Sequence, residues 1–118
     1  MSKITESTFS IQGKSGNKHT FGIYAIGTPF SSTGGVYIFT RRHQDTHGKH
    51  THQIVYCGIT GDLSTRFNNH HKETEIKKNN ANCICVMFEN SEKQRANIEA
   101  DILTCTDNKF PCNDLLNY

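Results

Sequence analysis

The chain has 118 residues, of which 34% are hydrophobic and 20% charged, and a formal net charge of +2. That length supports one compact domain with its own apolar core rather than two side by side, and no stretch approaches the apolar run that a membrane span requires. So small a positive charge neither establishes nor excludes a polyanionic partner, although it leaves Lys and Arg free to cluster on one face.

Met1 to Glu6 lack the apolar segment and small-residue cleavage site of a secretory signal, so the expectation is a cytoplasmic chain without a membrane role. The five cysteines, Cys57, Cys83, Cys85, Cys105 and Cys112, form an odd set without a CxxC pair. They read as reduced packing residues, neither a disulfide framework nor a four-cysteine zinc site.

Along the chain, Thr8 to Gln12 and Thr20 to Ile26 carry apolar residues at alternate positions, with turn chemistry from Gly13 to Asn17, which predicts an N-terminal hairpin. After breakers at Gly27-Thr28-Pro29 and Gly34-Gly35, Val36 to Thr40 and Gln53 to Cys57 predict a second hairpin, joined by a long, polar, histidine-rich connection. From Asp62 to about Asn79 the alternation is lost. Leu63, Arg66, Phe67 and His70 recur at i, i+3, i+4 and i+7, one face of a helix. Cys83 to Phe88 reads as a buried strand, and Ser91-Glu92-Lys93-Gln94 as a capping box opening a helix to about Thr104. The tail from Pro111 to Asp114 looks like a loop or short turn.

Polar groups on these apolar faces need partners. Glu99 shares its stripe with Ile102 and Leu103, so it is expected to be protonated, paired or coordinated to a cation. Arg66 and His70 share the stripe of Leu63 and Phe67, placing a permanent charge and a titratable imidazole beside apolar anchors. An internal Arg66–Glu99 ion pair is the purely structural alternative. Tyr37 and Tyr56 lie on the two hairpin strands beside glycine-containing segments, although a strand tyrosine is often only a packing residue. Asp101 follows Glu99 by two and points elsewhere, against a two-carboxylate metal pair.

Gly35-Val36-Tyr37, then Tyr56-Cys57-Gly58-Ile59-Thr60, then Asp62-Leu63, Arg66 and His70, then Glu99 and Asn113, form an ordered series that resembles the GIY-YIG endonuclease family. Each short motif is weak; the ordered series is specific. The resemblance covers roughly residues 35–113 of a single domain spanning 1–118, with 1–34 as an N-terminal hairpin extension. It implies an α/β fold with a small mixed sheet flanked by helices, and cleavage of phosphodiester bonds in DNA, with RNA left open, using magnesium or manganese. By the same match Glu99 would hold the metal, Arg66 would stabilise the phosphate charge, and Tyr37 or Tyr56 would help activate water. His70 and Asn113 would position water or phosphate, with His70 an alternative base. A non-cleaving nucleic-acid-binding module of the same fold is the rival reading.

Two departures stand beside the match. The connection from Thr40 to Gln53 is longer than the family's usual one, and Cys57 replaces an aliphatic residue. That connection holds Arg41, Arg42, His43, His47, Lys49, His50 and His52, which suit phosphate contact, transition-metal binding or plain solvation. Lys72 lies nearest in sequence to the inward helical stripe and is the other expected substrate contact. A second Gly22-Ile23-Tyr24 occurs upstream; Gly35 to Tyr37 is preferred because it is the nearer strand partner of Tyr56. A homodimer would suit cleavage of both strands.

Overall fold

The computed structural model describes residues 3–44, 46–67, 73–105, 108 and 110, with the backbone alone at 3–7, 73 and 75. The elements in chain order are β1 (Lys3–Gln12), β2 (Lys18–Ala25), β3 (Gly35–Gln44), β4 (His50–Thr60), α1 (Leu63–Arg66), α2 (Glu73–Lys78), β5 (Cys83–Phe88) and α3 (Glu92–Leu103). The five strands form one sheet in the order β1-β2-β5-β3-β4. Every strand pairing in it is antiparallel, so the mixed sheet expected from the resemblance is corrected. The reason lies in the connections. β1–β2 and β3–β4 are hairpins, and β5 returns between them antiparallel to both neighbours.

The N-terminal hairpin is part of this sheet, since β2 pairs with β5 from Gly22↔Val86 to Ala25↔Cys83. Its turn closes with Gly13 N donating to Asn17 O and Gly16 N to Gly13 O, with Gly16 at φ +91°. Only glycine adopts that left-handed conformation without strain.

Alternation divides the core between the two faces. One face gathers Ile11, Phe21, Ile23, Val36, Ile38, Cys57 and Cys85 under Ile102 and Leu103 of α3. The other gathers Tyr24, Tyr37, Phe39, Tyr56, Ile84 and Val86 under Phe30, Leu63 and Ile76. Large side chains buried in this way stabilise the fold by about 1.5–3 kcal/mol each relative to exposure. The sheet curls, so that Phe9 near one edge packs its ring 5.4 Å from that of His52 on the other. Cys57, Cys83 and Cys85 are buried within this packing.

Two further expectations change. The continuous helix from Asp62 to Asn79 is instead two short ones. Phe67 caps α1 and joins an aromatic cluster with Phe30, Tyr37 and Phe39. α2 ends on Asn80 at φ 60°, with Asn80 N bonded to Lys77 O and Ala81 N to Ile76 O. α1 closes at its C-cap Phe67, whose N–H returns to Thr65 O, so periodicity alone overreached there. The long connection also shrinks, because β3 and β4 stay paired out to Gln44↔His50. The paired residues there are polar and mostly exposed, which removes the apolar alternation by which a strand is read.

Helix α3 follows expectation. Ser91 accepts from Gln94 N at its start and Thr104 caps its end. Among the described residues no helix is long and apolar enough to cross a membrane.

Candidate active site

The two tyrosines meet across a glycine, beside a bulge. Tyr37 of β3 stands opposite Gly58 of β4, and Phe39 opposite Tyr56. A Cβ on Gly58 would fall 2.5 Å from the Tyr37 hydroxyl oxygen and 2.9 Å from a ring carbon of Tyr56, so Tyr37 lies across the backbone that glycine leaves bare. The ladder then slips: Phe39 pairs with Tyr56 but Thr40 with Ile54, leaving Val55 as the extra residue of a β-bulge. Val55 and Tyr56 consequently both pack on the tyrosine face, as bulged neighbours do. The two tyrosine rings are 6.1 Å apart.

Arg66 arrives on a single helical turn fixed at its start. The Asp62 carboxylate accepts from Ser64 N at 2.9 Å, Leu63 N donates to Thr33 O at 2.8 Å, and the buried Leu63 side chain packs over Gly35. Hydrogen bonds with Ser64 hold the Asp62 carboxyl below its ordinary pKa, as suits an N-cap. At the other end of the turn, Arg66 Nε donates to the Tyr37 hydroxyl at 3.0 Å. Partial burial works against the guanidinium charge, but the contacts with Tyr37 and Tyr56 outweigh it and raise the Arg66 pKa.

Both tyrosines are held protonated. Burial pushes Tyr37 well above the ordinary tyrosine value, and the Arg66 hydrogen bond only partly offsets it. Burial also raises Tyr56, again against the nearby Arg66 charge. A tyrosine base would need its pKa lowered by an arginine or a metal-bound water; here Arg66 lowers it and desolvation wins. These hydroxyls are therefore suited to donating and relaying hydrogen bonds.

Glu99 comes from α3, the helix on the opposite face. Partial burial raises its carboxyl pKa, Arg66 lowers it, and its charge acts in turn on Tyr56 and Cys57. α3 packs on β3 and on β4, the outermost strand, and the electrostatic coupling of Glu99 to Tyr56 and Arg66 sets the carboxylate near that strand. Arg66 and Glu99 do not form a direct ion pair, whereas His19 and Asp101 close one at 2.7 Å. Nor do the described residues bring together three or more His, Cys, Asp or Glu side chains for a metal. A lone, partly desolvated carboxylate beside an open edge fits a hydrated hard cation that keeps most of its waters, and falls short of a transition-metal cage.

Asp101 points away from Glu99, as the helical spacing requires. It accepts from Ser15 N and Ser15 Oγ, both at 2.8 Å, and bonds His19 Nε2, so it clamps the N-terminal turn onto α3. Sequence reasoning missed Arg95, one turn before Glu99 on the same face. It is 9% exposed, donates from Nη1 to Glu89 O at 3.0 Å and packs against Gly34. Its i−4 spacing from Glu99 was the available signal. It positions α3 against the starts of β3 and the end of β5.

Tyr37, Tyr56, Arg66 and Glu99 are thus brought together, whereas His70, Lys72 and Asn113 lie outside the described residues. Arg41 and Arg42 lie further along β3, on the hairpin and away from this centre. Tyr24 of the upstream Gly22-Ile23-Tyr24 packs edge-on against Phe30, with β5 and β3 between its strand and β4. Compared with known proteins, the chain matches no family model, no curated protein and no solved structure.

Proposed function

We propose that this chain is a divalent-metal-dependent endonuclease that hydrolyses phosphodiester bonds in DNA. The observation that carries the reading is the convergence on one sheet edge of an Arg66 guanidinium bonded to Tyr37, a second tyrosine, and a partly desolvated carboxylate, Glu99. Phosphodiester hydrolysis needs charge neutralisation at the phosphoryl oxygens, an oriented nucleophile and a stabilised leaving oxygen.

Each requirement has a residue. Arg66, with Nε committed to Tyr37, keeps further N–H groups for phosphate oxygens. Tyr37 and Tyr56, held protonated, donate hydrogen bonds to a phosphate oxygen or the attacking water. Glu99 would hold magnesium or manganese, which when bound supplies Lewis acidity at the phosphate and a more acidic water. The role of base falls to a water in that neighbourhood or to His70, since desolvation removes both tyrosines from it.

The test is cleavage of supercoiled plasmid with magnesium or manganese by wild type, Glu99→Ala and Arg66→Ala. Metal-dependent cutting lost in both variants is the expected result. A folded wild type that binds DNA and leaves it intact would instead favour the non-cleaving module.

A further inference from the structure

Beyond Thr40, β3 loses its neighbour β5, whose last ladder partner is Cys83. Asn82 closes that end, its Oδ1 accepting from Arg42 N at 2.6 Å and its Nδ2 donating to Arg42 O at 3.0 Å. From there β3 and β4 continue as a two-stranded arm through Arg42↔His52, His43↔Thr51 and Gln44↔His50, turning at Gly48. We infer that this arm docks duplex DNA alongside the cutting centre. The inference rests on the proposed nuclease reading and adds to it the form of the substrate and a spacing.

Charge and shape select the occupant. Residues 41–53 hold Arg41, Arg42, Lys49 and four histidines against one acid, Asp45. The two arginines occupy opposite faces of the ribbon: Arg41, exposed, shares the face of Tyr37 with the His43 imidazole, while Arg42, half-buried, lies on the other with His50 and His52, the latter stacked on Phe9. Positive charge on both faces suits a groove walled by two phosphate backbones, and the major groove of B-DNA, about 12 Å wide, admits a two-stranded ribbon. A single strand would call for aromatic platforms on which bases stack. The arm has no Phe, Tyr or Trp.

Two of the imidazoles are fixed by cross-strand bonds, His43 Nε2 to Thr51 Oγ1 at 2.7 Å and His52 Nδ1 to Thr40 Oγ1 at 2.8 Å. The ribbon is the direct continuation of the strands carrying Tyr37 and Tyr56, so its reach is set by strand rise. Arg41 lies four residues beyond Tyr37, about 13 Å, and Gln44 about 23 Å, at roughly 3.3 Å per residue. Those distances correspond to about four and about seven base pairs from the cut phosphate at roughly 3.4 Å per pair.

The test uses the full chain carrying Glu99→Ala and measures fluorescence anisotropy of labelled duplexes of about 10 and about 30 base pairs, and the matching single strands. Adding Arg41→Ala, Arg42→Ala and Lys49→Ala together is expected to weaken binding to the longer duplex by about tenfold or more. The slope of log affinity against log salt should fall by about 2.7, at roughly 0.9 per phosphate contact. Single-strand binding should hardly change. Lys49→Ala alone, at the turn and outside the ladder, should lower the slope by about 0.9 and serves if the triple variant does not fold. Unchanged duplex affinity and slope, an equal loss on single strands, or no duplex binding by the parent would each overturn the inference. Plasmid cutting by the wild type is read separately: cutting with an indifferent arm overturns only the docking role, and arm-dependent binding without cutting overturns only the nuclease.

Discussion

The Tyr37 hydroxyl occupies the space that a side chain on Gly58 would need, 2.5 Å from where its Cβ would stand. The outer strand thus yields its side chain so that the inner tyrosine reaches Arg66. Gly58→Ala should therefore displace Tyr37 and break its bond to Arg66. We expect a stability loss of about 1–3 kcal/mol by urea unfolding, typical of overpacking. Plasmid nicking should drop on the order of 100-fold, because small misplacements of catalytic groups are that costly. A folded Gly58→Ala protein that nicks at the wild-type rate would remove Tyr37 from the centre.

Tyr37→Phe separates packing from chemistry. The ring contacts with Phe39 and Phe67 survive, and only the hydroxyl that receives Arg66 Nε is lost. Cleavage should fall about 100-fold, the usual effect of removing one transition-state donor. Because burial raises both tyrosines above the ordinary value near 10, both stay protonated between about pH 6 and pH 8. The residual activity of Tyr37→Phe should accordingly keep the wild-type pH dependence over that span. An alkaline rise present in wild type and absent from the variant would show Tyr37 acting as a base after all.

Asp101 offers a prediction about the fold rather than the chemistry. Its carboxylate accepts from Ser15 and bonds His19, and the His19 contact is the main cause of its lowered pKa. A carboxyl whose folded pKa lies below its unfolded value contributes stability that is fully present above the unfolded value, near 4, and lost as pH falls through the folded one. Asp101→Ala should destabilise by about 0.5–1.5 kcal/mol at neutral pH, through lost hydrogen bonds and a loosened N-terminal turn whose donors water can reach. The gap between wild type and variant should close below about pH 4. A constant gap across that range would mean that the loss is packing alone.

The strands of the site could be read from alternation and from Gly34-Gly35, and α3 from its capping box, because those signals are local. What could not be read was set by neighbours far along the chain. Phe67 carries the helical period of Leu63 but is claimed by Phe30 and Phe39, so α1 stops a residue earlier. The residues after Thr40 are polar and mostly exposed, so they alternate nothing apolar and carry the composition of a loop although they pair as strands. The bulge that adds Val55 to the face of Tyr56 leaves no compositional mark. Glu99 was legible as a misplaced charge on an apolar stripe; that it lies near β4, the outermost strand, required the strand order.

In the proposed nuclease that carboxylate would set stability against function. Burial raises the Glu99 pKa and Arg66 only partly offsets it. A carboxyl whose folded pKa exceeds its unfolded value favours folding below the unfolded value, and that contribution is lost as pH rises through the folded one. At neutral pH the ionised Glu99 therefore weighs against the metal-free fold, and a bound cation would relieve it. Glu99→Gln should make the metal-free protein more stable than wild type by about 0.5–1 kcal/mol at pH 7, as neutralising a functional charge commonly does. It should also abolish cutting, and magnesium should raise the melting temperature of wild type while leaving Glu99→Gln unmoved. The stability advantage of the variant should disappear near pH 4, where the wild-type carboxyl is itself protonated. Equal magnesium stabilisation of both proteins would place the cation elsewhere, and a less stable Glu99→Gln would mean that the carboxylate holds the fold together instead of straining it.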